Sequence, residues 1–173
     1  ADEPILIEPW HLAESCRSDF FDLEDFYEYT SGGLILNALD LEPGMDDIND
    51  LSQEYQRLGF KREKYCFSLK KGEHLKAFVV VMLSDIGLNL SNLTNCIMVF
   101  VVDSEDLSWD KLHSGLSKIM HTVEQYDIPI LLYPTTYAEA HRIPYEKQYN
   151  LWILNIPGIS DRYFSYVKRL LRY

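Results

Sequence analysis

His113 and His121 are the first residues to weigh as metal ligands, because they stand eight apart in a segment of helical period. Eight helical residues span ~12 Å at 1.5 Å per residue, whereas two ligands of one zinc ion each lie near 2 Å from it. The pair shares a helix face but cannot share an ion, so no metal centre is expected. Glu73-His74 sets a carboxylate beside an imidazole, the parts of a general base. Its neighbours Lys71-Gly72 put it in a hairpin turn, where both groups are expected to be solvated. Asn89, Asn92 and Asn95 precede an apolar run, and their side chains are read as turn chemistry that mimics backbone hydrogen bonds. Cys16, Cys66 and Cys96 are odd in number, widely spaced and without C-x-x-C spacing. They suggest neither a disulfide framework nor a zinc site, and three buried, reduced thiols are expected. No G-x-S-x-G, H-E-x-x-H, Walker A or Rossmann string is present, so hydrolase, zincin and nucleotidase readings have no positive support.

The elements that must position such residues follow from hydrophobic period. Pro4 and Pro9 enclose Ile5-Leu6-Ile7, read as an opening strand. Phe20, Leu23, Phe26 and Tyr27 have helical spacing within Asp19 to Leu41, and Gly32-Gly33 predicts a break into two short helices. Ile48, Leu51, Tyr55 and Leu58 predict a helix over Asp46 to Leu58, stopped by Gly59. The period then changes: Tyr65, Phe67 and Leu69 alternate with polar residues, Lys71-Gly72 turns the chain, and Leu75 to Leu83 is rich in Val and Phe, which predicts a hairpin. Cys96 to Val102 is continuously apolar and predicts a central strand covered on both faces.

Helical period returns after Ser108, a suitable N-cap, with Leu112, Leu116, Ile119, Met120 and Val123 on one stripe. Asp127 to Tyr133 predicts a buried strand, Tyr137 to Gln148 a short helix interrupted by Pro144, and Leu151 to Leu154 a further strand. Ser160 to Arg172 predicts a last amphipathic helix, with Lys168, Arg169 and Arg172 at its negative end. There is no solenoid repeat, low-complexity tract or linker-like stretch, so residues 1–173 are read as one domain.

This order of strand, helix, helix, three strands, helix, strand, helix, strand resembles the core of the GNAT superfamily of N-acetyltransferases over nearly the whole chain. The resemblance implies an α/β fold with a central mixed sheet of about six strands, helices on both faces and an extra C-terminal helix. Ala138-Glu139-Ala140 followed by Tyr145-Glu146-Lys147-Gln148-Tyr149 is similar to a late segment of that superfamily. By that resemblance Tyr145 falls where many members keep the general acid that protonates the departing coenzyme A thiolate, a role suited to a phenol of pKa near ~10. The resemblance also implies that the backbone edges of Val99, Val101 and Val102 take a pantetheine arm, and that the helix end at Ser108 and Trp109 takes phosphates. The sequence departs from the family at that helix end. Members carry Q/R-x-x-G-x-G/A there, whose amides hold a pyrophosphate, but this chain has Asp103-Ser104-Glu105-Asp106-Leu107-Ser108-Trp109-Asp110-Lys111, with no glycine and four carboxylates. Each unit of like charge ~6 Å from a phosphate costs ~0.7 kcal/mol in water and ~3 at an effective dielectric of 20. Acetyl-coenzyme A or another acyl-coenzyme A is the cofactor if the chain is active.

Two functions are therefore expected alternatives. One is a divergent domain that binds a partner or regulates without efficient acyl transfer. The other is an acyl-coenzyme A-dependent N-acyltransferase with an unusual donor grip, acting on a cationic amine steered by a net charge of −11. The same charge, from 27 acidic and 16 basic side chains, opposes a phosphate backbone, so nucleic acid is not an expected partner. No apolar run approaches the ~20 residues that span a bilayer, so no membrane role is expected and the partner is a small molecule or a protein. The opening Ala-Asp-Glu-Pro has neither a basic nor an apolar signal region. A cytoplasmic chain, processed or excised from a longer protein, is expected.

Overall fold

The computed structural model of the chain describes residues 5–31, 36, 41, 51–85, 95–124 and 130–146. Alternating side chains in the middle of the chain form the hairpin that organises the rest. Strand β2 (Arg62–Lys71) and strand β3 (His74–Ser84) pair antiparallel around a two-residue turn at Gly72-Glu73, where Gly72 has a φ of +59° that an L side chain rarely adopts. Strand β1 (Trp10–Glu14) adds antiparallel to β2, and β4 (Asn95–Val101) adds antiparallel to β3. Strand β5 (Ile130–Leu132) lies parallel to β4. Together they make an open five-stranded mixed sheet in the order β1-β2-β3-β4-β5.

Each face of this sheet carries its own apolar cluster. On one face Phe67, Leu69, Ala77, Val79, Val81, Ile97, Val99 and Val101 meet Leu112, Leu116 and Ile119 of helix α3 (Trp109–Thr122). On the other, Phe78, Val80 and Phe100 meet Leu23 of helix α1 (Arg17–Ser31), with Leu36 and Leu41 beside them. Helix α2 (Leu51–Arg57) leads into β2, and helix α4 (Thr135–His141) follows β5. Burial of this order, at about 25 cal/mol per Å² of apolar surface, is the main force that holds the sheet between its coverings.

A β-bulge changes the side-chain faces at the turn end of β3. Leu69 pairs with Ala77 but Lys70 pairs with Leu75, so Lys76 is the extra residue. Alternation is shifted there: Leu75 joins the α1 face although Ala77, Val79 and Val81 lie on the α3 face. The carbonyl of Lys76 accepts from the amides of Val102 at 2.9 Å and Asp103 at 3.3 Å, fixing the exit from β4.

Several expectations are corrected. Ile5-Leu6-Ile7 is not a strand; Ile5 and Ile7 are exposed, and pairing begins only at Trp10, past Pro9, which has no amide to donate. Cys96 to Val101 is covered on both faces, yet among the described residues the middle place in the sheet belongs to β3. Helix α4 starts two residues earlier than the expected Tyr137 and stops at His141, where Arg142 turns left-handed (φ +54°) ahead of Pro144. Cys16 is exposed and Cys66 half-buried, so only Cys96 is the buried thiol expected of all three. The expected break at Gly32-Gly33, the loop carrying Asn89 and Asn92, the strand at Leu151 to Leu154 and the helix from Ser160 lie outside the described residues. Among the described residues no helix is long and apolar enough to cross a membrane.

Candidate functional site

The stretch from the end of β4 into the first turn of α3 carries Asp103, Glu105, Asp106 and Asp110, and the fold answers two of them with lysines from the hairpin. Lys71, the last residue of β2, donates to both oxygens of Asp106 at 2.8 and 3.0 Å. Lys76, carried by the bulge, reaches Asp103 Oδ2 at 2.7 Å and Asp106 Oδ2 at 3.0 Å. The Lys76 ammonium holds the Asp103 carboxyl below its ordinary range, with help from the Asp106 amide. Lys71, then Lys76, does the same for Asp106. In return the two carboxylates, Asp103 first, raise the pKa of Lys76. Two of the four carboxylates expected to repel a phosphate are thus neutralised, while Glu105 and Asp110 remain exposed.

Several amide donors of the same segment are already in use. The Asp106 amide donates to Asp103 Oδ1 at 3.2 Å, and the Leu107 amide to the Asp103 carbonyl at 3.2 Å. Ser108 caps α3 as expected: its backbone is extended, and its hydroxyl accepts from the Lys111 amide at 3.4 Å. Tyr137 of α4, 1% exposed, donates its hydroxyl to the Leu107 carbonyl at 3.0 Å. Burial pushes that phenol up to about 12. His141 Nε2 lies 3.3 Å from the Ser104 carbonyl, a second tie between α4 and the segment.

The other residues expected at a donor site fall in three places. The side chains of Val99 and Val101 are buried on the α3 face, and Val102 is half-buried against the α1 face. Strand β4 outruns β5: the parallel ladder pairs Cys96, Ile97 and Met98 with Ile130, Leu131 and Leu132 and goes no further. Among the described residues, the β5-side edge of Val99 to Val101 has no strand against it. Trp109 opens α3 with its ring 6.0 Å from His113 and 6.4 Å from Tyr133. Tyr145 is 44% exposed and donates its hydroxyl to Glu139 Oε1 at 3.0 Å, and that carboxylate raises its pKa. A phenol held this way is a weaker acid than a free one.

A second constellation escaped the sequence reading. Asp19, 1% exposed, sits at the third position of α1 and accepts from the Cys16 amide at 2.9 Å, closing the first turn as a capping box does. The same oxygen accepts from Ser68 Oγ at 2.9 Å, and the Cys16 thiol approaches it at 3.4 Å. Ser15 Oγ lies 2.8 Å from Ser68 Oγ. The other carboxylate oxygen takes Lys70 Nζ at 2.5 Å as an ion pair without an aligned hydrogen bond. Burial acts to raise the Asp19 pKa, but Lys70, the Cys16 amide, Ser68 and the Cys16 thiol together hold it below its ordinary value. Lys70 is raised in turn, by Asp19 above all. With the Lys70 ammonium and three donors on Oδ2 favouring the ionised form, the carboxylate is a weaker base than a free one, and the cluster fastens α1 to β2. The signal that could have found it is the Cys16-x-x-Asp19 spacing at a helix start combined with Ser68 and Lys70 on one face of a strand.

Glu73 and His74 are exposed at the hairpin turn, and His113 and His121 lie on the outer side of α3. Among the described residues no three His, Cys, Asp or Glu side chains are grouped to hold a metal ion. No family model matches the chain, and no curated protein or solved structure matches it significantly.

Proposed function

We propose that this chain is a GNAT-like domain that works as a binding or regulatory module and does not transfer acyl groups efficiently. The observation that carries the reading is the occupancy of the β4 to α3 segment. The Asp106 and Lys111 amides of this segment already donate to Asp103 and Ser108. A phosphate would have to displace a carboxylate tied to lysine, and Glu105 and Asp110 would still oppose it. The proposal includes the finer architecture of six strands with helices on both faces. The test is thermal melting with acetyl-coenzyme A. Ligand at about a hundred times its Kd adds ~2.7 kcal/mol, which raises the midpoint by several degrees at this size. The reading predicts no shift at millimolar donor, and a saturable shift overturns it.

The second reading, an acyl-coenzyme A-dependent N-acyltransferase acting on a cationic amine, is favoured by the β4 edge. Val99 to Val101 run past the end of β5 and leave backbone groups for an extended pantetheine arm. In this reading Trp109 and Ser108 flank the phosphates and Tyr145 is the acid, released from Glu139 before it acts. Turnover that falls strongly in Tyr145→Phe while donor binding persists supports it; turnover unchanged in that variant removes Tyr145 from the chemistry.

A further inference from the structure

The outer face of α1 combines three features that a merely solvated helix face does not need. Phe20, Leu23 and Tyr27 face the sheet, with Leu23 fully buried and the Tyr27 ring edge-on to Phe100 at 5.9 Å. The opposite side presents Phe21, Asp22, Asp25, Glu28 and Tyr29, all exposed, with Phe21 at 44% and Tyr29 at 95%. Large rings at such exposure are the residue types that anchor protein interfaces. The three carboxylates follow one another at spacings of three, so each is a like-charge neighbour of the next, an arrangement that destabilises a helix. The last turn of α1 contains no basic residue, so Glu28 faces the negative end of the macrodipole uncompensated. Among the described residues none of the three pairs with a cation. On this face, among the described residues, only Phe21 has a cation at hand: the Arg17 guanidinium stands 5.7 Å from its ring centroid.

We propose that this face docks an arginine-rich segment of a partner protein. Guanidinium groups satisfy all three features at once, because they stack on aromatic rings and fork onto carboxylates, and their charge relieves both the like-charge series and the helix end. The net charge of −11 draws such a segment in at long range. The docking face is separate from the β4 to α3 segment and holds whether or not that segment takes a donor.

The test is fluorescence anisotropy with labelled nona-arginine as the probe, at about one Debye length of 10 Å, that is ~0.1 M salt. Saturable binding is expected. Asp22→Asn/Asp25→Asn/Glu28→Gln weakens it about tenfold or more, and Phe21→Ala/Tyr29→Ala, which changes no charge, weakens it severalfold. Glu8→Gln/Glu14→Gln/Glu73→Gln removes the same charge from exposed carboxylates off the face and leaves the affinity within about twofold. Nona-lysine, which lacks a planar group to stack, binds more weakly. The proposal is overturned if the wild-type protein shows no saturable binding, or if the off-face triple loses as much as the on-face triple. It is equally overturned if removing both rings changes nothing, or if nona-lysine matches nona-arginine.

Discussion

The Asp19 carboxylate and the Lys70 ammonium meet at 2.5 Å between α1 and β2, with 1% and 15% of their side chains exposed. Removing one member of such a pair strands the other, and the two members are not equivalent. Lys70→Met leaves a buried carboxylate without its cation and is expected to cost about 3 kcal/mol, the lower end for a broken buried pair. Asp19→Asn keeps an oxygen for the Cys16 amide and Ser68 and leaves Lys70 able to reach water, so it costs about 1.5–2 kcal/mol. Urea unfolding of both variants checks the order; Asp19→Asn as the costlier change would contradict it.

The same carboxyl contributes to stability against acid. Its folded pKa lies below the ordinary 3.8, so the folded chain binds fewer protons there than the unfolded chain. Its contribution is present above pH 3.8 and is lost as pH falls through the lower folded value. Unfolding midpoints measured between about pH 5 and 2 therefore fall less steeply in Asp19→Asn than in the wild type. Lys70, raised above 10.5, contributes in the opposite direction, with stability lost only as pH climbs past that value.

Tyr137 links α4 to the β4 to α3 segment through its bond to Leu107. Tyr137→Phe leaves a carbonyl short of a donor and is expected to cost about 1–2 kcal/mol. The phenol ionises at an ordinary 10 when unfolded and at about 12 when folded. Its contribution is complete below pH 10 and is lost as pH rises toward 12. Alkaline unfolding should be less steep in the Phe variant over that interval.

Gly115 lies within α3, and a Cβ built there would meet the Leu69 methyl carbons at 3.4 Å, ordinary contact with the ends of a flexible side chain. Gly115→Ala is expected to stabilise the fold by about 0.5–1 kcal/mol through helix propensity. Gly115→Leu overpacks the same contact and is expected to destabilise by about 1–3 kcal/mol. Thermal melts of the two variants should move in opposite directions.

The parts of this fold that repeat a local pattern were legible in the sequence. Tyr65, Phe67 and Leu69 alternate because only one face of β2 meets α3, and Ser108 caps a stripe of Leu112, Leu116 and Ile119 that buries as a unit. Strand β1 is hard to find in the sequence because, among the described residues, Trp10 to Glu14 pairs along one edge and has a largely exposed pattern, so its sequence is less apolar than Ile5 to Ile7 before it. At the candidate site the carboxylates were visible and their partners were not. Lys76 reaches Asp103 and Asp106 because it is the extra residue of a bulge, and a bulge leaves no period to detect. Asp19 was hidden for a related reason: its partners Ser68 and Lys70 come from a strand far along the chain.

The amides of the β4 to α3 segment can be watched directly in nitrogen-15 heteronuclear NMR spectra as acetyl-coenzyme A is added to millimolar concentration. If Asp103 and Ser108 already occupy the donors, the Asp106 and Lys111 resonances stay where they are throughout the titration. Saturable displacement of those two amides together with Val99 to Val101 would contradict the account and point to a working donor site.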